Sequence, residues 1–254
     1  MLASTALADP ATVAALGDPP PVVATPARVT ITVTIAGLYD VLTNTIRAVG
    51  GTRFTDLPSL ARLRLHLADG RLHATATDRF RVHRDWTPLL DNTPACLPDP
   101  LFLSAADVAT LRALLRRRLA AALRCGPATL TVGAPTPDGA LRPVRLAVGN
   151  VARRDSLTVA SHTDPDLPYP DIAATDRTFR GWSPTDTVRL NPRFLTDAAQ
   201  ITHDGRPAPR HAGIQLHFRA DRTSDLPGPV RITHPARPSW TADIMPIRAG
   251  LDDQ

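Results

Sequence analysis

Leu72-His-Ala-Thr-Ala-Thr-Asp-Arg-Phe-Arg-Val82 decides how this chain is read. Its first part, Leu72 to Ala76, alternates apolar and polar side chains, the signature of a half-buried strand. A second strand runs from Phe80 to Trp86. Upstream lie Leu63-Arg-Leu-His-Leu67 and the turn Ala68-Asp69-Gly70, and an Asp-Gly between alternating runs is a strong hairpin signal. Farther back, Val29-Thr-Ile-Thr-Val-Thr-Ile35 alternates with a strict period of two. Between these strands Gly37 to Val49 reads as a helix. Leu38, Val41, Leu42, Ile46 and Val49 share its apolar face, and Asp40, Asn44 and Arg47 share the polar one. The result is one β-α-β-β-β unit.

The pattern recurs twice. Pro100-Leu-Phe-Leu103 opens a second unit, and Ser104 with Asp107 three residues on is close to a capping box. Its helix runs to about Leu123, and strands are expected at Ala128–Val132, Val144–Val148 and Ser156–Ala160. Val188-Arg-Leu190 opens a third unit, where Asn191 followed by Pro192 supplies an N-cap and a first-turn proline. A short helix to Ile201 follows, then strands Ile214–Phe218, Val230–Thr233 and Trp240–Met245. Identity among the three units is low, so the repeat is one of pattern. The expected class is α+β, with antiparallel sheets and helices on one face.

Composition removes many activities. All 29 basic side chains are arginine and all 24 acidic ones are aspartate, so the 254-residue chain has no lysine and no glutamate. Coiled coils lose their usual flanking charges, and Schiff-base, phosphate-loop and kinase lysines are excluded. The glutamate base common in zinc peptidases is excluded as well. The net charge of +5 and a pI near 10.4 suit a polyanionic partner but say nothing of fold. Cys96 and Cys125 form no CxxC, the eight histidines show no ligand spacing, and a reducing cytoplasm is the default compartment. No apolar run approaches the ~20 residues of a membrane span. Residues 1–27, rich in alanine and proline, read as a disordered leader rather than a signal peptide. Ser156, His162 and Asp164 are close in sequence without a GxSxG elbow, and the paired aspartates fall in loops.

The opening stretch resembles the middle-domain signature of bacterial sliding clamps, the processivity (beta) subunit of DNA polymerase III. Three further stretches agree, in the same order. Leu167-Pro-Tyr-Pro-Asp-Ile172 is similar to the family's Phe-Pro-Asp junction. Leu190-Asn-Pro-Arg-Phe-Leu-Thr-Asp-Ala198 is similar to its Asn-Pro-x-Tyr-Leu-x-Asp helix. Ile244-Met-Pro-Ile-Arg248 is similar to its terminal Met-Pro-Met-Arg. The family has three domains of two units each. The resemblance therefore implies a reduced DNA-clamp fold: a leader over 1–27, a clamp domain over 28–172 like the family's middle domain, and a linker with a partial clamp domain over 173–254. Ring closure in the family joins the first domain of one subunit to the last of its neighbour, and that contact has no counterpart in three units. Four such chains carry enough units for a ring, so a homo-oligomer stays open.

The resemblance also implies sites. Family partners insert a short peptide with apolar anchors into a groove, whose matching positions are Leu60, Thr77, Arg79, Phe80, Arg81, Val82, Pro170, Ile244, Met245, Pro246 and Ile247, with Arg248 at the rim. An aliphatic, methionine-lined groove adapts to varied apolar side chains. On the residues alone, Val82, Ile244 and Met245 read as ordinary strand core. The stretch after Asp171, Ile-Ala-Ala-Thr, departs from the family's pattern. No aspartate occurs from Val108 through Pro137, and Arg116, Arg117 and Arg124 oppose the Leu111, Leu115 and Leu119 face of the second helix. With Arg47 and Arg53 they are the candidate contacts to duplex DNA, made to phosphates without reading bases. A solvated basic helix face is the competing reading. The expected function is thus a non-catalytic replication processivity factor without cofactor or membrane contact, binding duplex DNA and polymerase or repair proteins that carry clamp-binding peptides. The alternative is a non-encircling adaptor or decoy for such peptides.

Overall fold

The computed structural model describes residues 28–50, 57–90, 97, 99–119, 123–149, 154–162, 169–172, 188–209, 212–218 and 228–247. The first unit comprises β1 (Val29–Thr34), α1 (Ile35–Thr45), β2 (Arg62–Ala68), β3 (Arg71–Thr77) and β4 (Arg81–Pro88). The Thr34 hydroxyl caps α1 by accepting from Gly37 N–H at 3.0 Å, and a 3-10 turn at Ile46–Ala48 ends it before Val49. Gly37 is required there. A Cβ on it would lie 2.1 Å from Thr87 Oγ1 and 2.7 Å from the capping Thr34 Oγ1, so only glycine lets the helix approach β4 this closely. The Asp69-Gly70 turn takes positive φ at both residues, as a two-residue hairpin demands.

The second unit is β5 (Leu101–Ser104), α2 (Ala105–Leu119), β6 (Pro127–Val132), β7 (Leu141–Val148) and β8 (Asp155–His162). The Ser104 hydroxyl accepts from Asp107 N–H at 3.1 Å and donates to its carboxylate at 2.6 Å, so the expected cap forms. Residues 120–122 fall outside the described residues, and Arg124 lies in the turn before β6 rather than on the helix. The third unit has α3 (Pro192–Ala199), a small hairpin of β9 (Thr202–His203) and β10 (Arg206–Pro207), then β11 (Gln215–His217), β12 (Val230–His234) and β13 (Arg237–Ile244). Asn191 caps α3 by accepting from Arg193 N–H at 3.0 Å. The expected opening strand Val188–Leu190 is not one. Three residues ahead of a helix start leave no length for a ladder, and Arg189 instead accepts a backbone hydrogen bond from Ile247 N–H at 2.8 Å.

Among the described residues, eleven antiparallel strands form one sheet in the order β1-β6-β7-β8-β5-β2-β3-β4-β13-β12-β11. Because side chains alternate across a sheet, the registers divide its middle into two faces. Leu63, Leu65, Leu72, Ala74, Ala76, His83, Asp85, Trp240, Ala242 and Ile244 are buried on the inner face, under the helices. Arg64, His66, His73, Thr75, Val82, Arg84, Trp86, Thr241, Asp243 and Met245 belong to the outer face. The first two units share one aliphatic core with α1 and α2 packed together over it. The third unit has a core of seven fully buried side chains centred on Trp240.

The third unit is joined to the first along a broad seam. The β4–β13 ladder pairs Arg81 through Arg84 with Ile244 through Thr241. Behind it, Arg237 donates from Nη1 to Asp40 at 3.0 Å and from Nε to both oxygens of Asp85 at 3.2 Å. Asn44 donates to Asp85 at 2.8 Å and accepts from Thr202 N–H at 2.7 Å. Gly205 N–H donates to Asp40 at 3.1 Å. Burial pushes the Asp40 carboxyl up from its ordinary value, and the Arg237 guanidinium pulls it back down. The polar face of α1, which periodicity alone would give to solvent, is therefore the buried surface on which the third unit docks.

Candidate functional site

The motif that opened the sequence reading is a braced turn. The Thr77 hydroxyl donates to the Arg81 carbonyl at 2.8 Å. The Asp78 carboxylate accepts from Phe80 N–H at 3.2 Å, from Arg81 N–H at 3.1 Å and from Arg81 Nε at 3.0 Å. Asp78 thus acts as an Asx-turn residue and as counter-ion to the same arginine. Arg79 sits at φ +74°, in the left-handed region. Arg81 is turned inward, where it also pairs with Asp197 of α3 and lies over the Phe194 ring at 4.5 Å. The consequence of this bracing is that Phe80 is thrown outward and is 52% exposed.

Across the seam Met245 N–H donates to the Phe80 carbonyl at 2.7 Å, which extends the β4–β13 register by one pair. Residues directly opposite in an antiparallel pair project on the same side, so Phe80 and Met245 belong to one outer-face patch. Met245 is 45% exposed, so two large apolar side chains face outward side by side. Val82 lies one row inward and is half-buried, and Pro246 and Ile247, next along the chain, are half-buried. Pro170 is exposed beside Tyr169, whose hydroxyl donates to the Thr75 carbonyl at 3.1 Å and so anchors that segment over the outer face. Leu60 and Ile244 are fully buried and present no surface, Ile244 because it faces the inner core. Thr77 and Arg81 are buried in the braced turn. Arg248 lies outside the described residues. The structure therefore sets Phe80, Val82 and Met245 on one outer face, with Arg79 on the adjoining turn.

The row between Val82 and β12 holds residues that carried no motif in the sequence. Asp243, buried on the outer face, accepts from Arg231 Nε at 2.7 Å and Nη2 at 3.0 Å, and also from Arg84. Counting back two residues from Met245 along β13 would place Asp243 on that face, which is the one sequence signal for it. Beyond this row lies a cavity of about 450 Å³, lined by Arg64, Arg84, Arg231, His66, His73 and Trp86 among others.

The five arginines nominated for DNA fare differently. Arg116 and Arg117 are exposed on α2, opposite the buried Leu111, Leu115 and Leu119, and make no ion pair among the described residues. Arg47 is not free: its Nη1 donates to Gln200 at 2.8 Å and lies 3.7 Å from Asp197. Arg124 lies 3.4 Å from the Asp204 carboxylate. Arg53 falls outside the described residues. Docking of the third unit onto α1 is the physical reason Arg47 is drawn away. Two further α2 arginines are engaged as well, Arg118 with Asp155 and Arg112 with the Thr43 hydroxyl at 2.9 Å.

Among the described residues no three histidine, cysteine or aspartate side chains come together as a metal site, and no helix is long and apolar enough to cross a membrane. The arrangement offers contact surfaces: an apolar patch on the outer face and a pair of free guanidinium groups on the helix face. No protein-family profile matches the chain, and no curated protein matches it in sequence. Solved structures do match in fold. The DNA polymerase III beta subunit of Thermotoga maritima aligns with 87% of this chain at 17% identity and a TM-score of 0.54. The DNA polymerase sliding clamp of Pseudomonas aeruginosa aligns with 92% at 15% identity and a TM-score of 0.56. DNA polymerase III subunit beta of Borrelia burgdorferi, solved with a natural product bound, aligns with 87% at 10% identity and a TM-score of 0.55. The chain spans 65%, 69% and 63% of those three proteins respectively, and its fold is that of the sliding clamps.

Proposed function

We propose, taking the sliding-clamp fold as premise, that this chain is a clamp-type replication factor which docks polymerase or repair proteins by an apolar peptide segment. The observation that carries the reading is the Phe80–Met245 patch, built from two units and held by a backbone hydrogen bond across their seam. Phenylalanine supplies area at little entropic cost and methionine adapts its shape. Pro246, Ile247 and Val82 widen the contact, and Arg79 stands at its edge as a donor for peptide carbonyls. The test is Met245→Asp, read by fluorescence anisotropy with an apolar clamp-binding peptide. A central contact residue replaced by a charge should weaken binding by about 30-fold or more. The melting temperature should hold, because Met245 is exposed. Unchanged affinity would remove the assignment.

On the helix face, Arg116 and Arg117 would meet DNA phosphates without sequence preference. Replacing both by alanine should lower the salt slope of duplex binding by about 2. A second reading, an adaptor that binds clamp-binding peptides without encircling DNA, is favoured by the capture of Arg47 and Arg124 in pairs with the third unit. Light scattering with retention on nicked circular against linear DNA separates the two. A monomer bound equally to both forms, and lost from both in salt, would count against encirclement.

A further inference from the structure

The first two units show what one unit takes from another. The first strand of each pairs with the second strand of the other, β1 with β6 and β5 with β2, and α1 packs on α2 above them. That contact is reciprocal, and it seals the inner face of both second strands. Leu63 and Leu65 of β2, and Ala128 and Leu130 of β6, are at most 1% exposed.

The third unit has no such mate among the described residues. Residues 173–187, which separate it from Ile172, are too few to supply one, since the first unit takes residues 29–88. Val188–Leu190 stands where the first unit has β1. Ile247 N–H donates to the Arg189 carbonyl as Leu90 N–H donates to the Thr32 carbonyl, each acceptor three residues ahead of its helix. In β geometry neighbouring residues turn their backbone groups to opposite edges, so Val188 and Leu190 present theirs away from Ile247.

β11 is the second strand of this unit. Among the described residues it has a neighbour on one side only, β12, and Gln215, Leu216 and His217 are all exposed. Leu216 lies opposite the fully buried Ile232 and so faces inward. Yet it is 37% exposed, where the leucines of β2 are sealed, and Phe218 two residues on is exposed to the same extent. On α3, Thr196 is exposed at the fifth position, which on α1 is held by Tyr39 against Arg112 of α2. The third unit thus leaves bare the surface that the first two units bury against each other. An open edge strand beside apolar side chains is a template for strand addition.

We propose that a second copy of this chain covers that edge, third unit to third unit, with β11 of each copy meeting Val188 and Leu190 of the other. A second copy fits because it brings the same bare edge and the same two apolar side chains, so each half supplies what the other lacks. Identical units that exchange the same pair of contacts form an isologous interface, which closes as a two-fold dimer and grows no further. Leu216 and Phe218 are buried in it twice over. The Phe80–Met245 patch, at the far side of β13, stays open.

The test is the mass of the full chain by light scattering and sedimentation over a wide range of concentration. Reducing conditions keep the exposed Cys125 from cross-linking copies. A dimer that dissociates on dilution is expected. Leu216→Asp sets two charges into the apolar contact and should raise the dissociation constant by about 30-fold or more. Thr196→Arg, on the exposed side of α3, should weaken the dimer in the same direction and serves if Leu216→Asp loses its far-UV circular dichroism. Met245→Asp should leave the dimer intact. A monomer at every concentration overturns the inference and leaves the edge to a different protein. A dimer that survives both Leu216→Asp and Thr196→Arg, or one that Met245→Asp dissolves, overturns it as well.

Discussion

Replacing Arg237 with methionine tests the buried polar part of the seam between the third unit and the first. Arg237 is the counter-ion of two carboxylates that are almost wholly inaccessible, Asp40 and Asp85. Methionine keeps most of its volume and removes three charged hydrogen bonds, leaving two acids in the interior. Breaking a buried pair from one side costs about 3–5 kcal/mol, against a total of about 5–15 kcal/mol for an ordinary domain. At about 2–4 °C per kcal/mol for a chain of this size, the melting temperature should fall by roughly 6–20 °C. Urea unfolding followed by far-UV circular dichroism and by tryptophan emission, with Trp240 buried in the third unit, reads the loss. Adding Asp40→Asn to Arg237→Met should recover part of it, because an amide can still accept from Gly205 N–H without carrying a charge into the interior. A melting temperature within 2 °C of the parent would refute the reasoning. So would a double variant less stable than Arg237→Met alone.

Two more predictions concern the same seam. His83, fully buried with Nδ1 on the Asn44 carbonyl at 3.0 Å and its ring edge-on to Trp240, is held down at about 4, burial being the main cause. Its folded value lies below the unfolded 6.5, so the neutral ring's contribution is complete above pH 6.5 and is lost as pH falls towards 4, by about 3 kcal/mol over that window. Urea midpoints at pH 7, 6 and 5 should show the decline, and His83→Leu should make it shallower, since His66, also held down at about 4 by burial, keeps its own share; an equal slope in the variant would sink the assignment. Gly37→Ala should destabilise by about 1 kcal/mol or more, since overpacking against Thr87 outweighs the helix propensity gained. Thr87→Ala in the same chain should relieve most of that cost, as read by the melting temperature.

The strands were legible because their alternation has a local cause: one face of each is buried and the other is not. Val29 to Thr34 and Leu63 to Leu67 follow that rule residue by residue, and the Asp69-Gly70 turn and the Ser104 cap are equally local. The burial of Asp40 and Asn44 was not legible. Their partners, Arg237 and Thr202, stand 197 and 158 residues away, and a polar helix face looks the same whether water or a buried carboxylate network covers it. Arg47 shows the same limit: periodicity groups it with Asp40 and Asn44, yet it lies in the 3-10 turn after α1 and is claimed there by Gln200 and Asp197. At the patch, Phe80 and Met245 were individually readable from the motif resemblance. That Leu60 and Ile244 turn inward, and that Asp243 occupies the outer row beside Val82, depended on the β4–β13 register, which no single segment encodes.

Asp197 is where the patch and the helix layer meet. Its carboxylate holds Arg81, directly beneath the turn that presents Phe80, and also approaches Arg47 in the 3-10 turn after α1. The two halves of the patch come from different units, yet their separation is set before any partner arrives. Hinge freedom that a looser seam would lose on binding has been lost already at folding. Pre-organisation of this kind lowers the entropic cost of association. On the proposed docking, a partner segment can be short, and a substitution at Asp197, set behind the patch, should be felt as weaker docking.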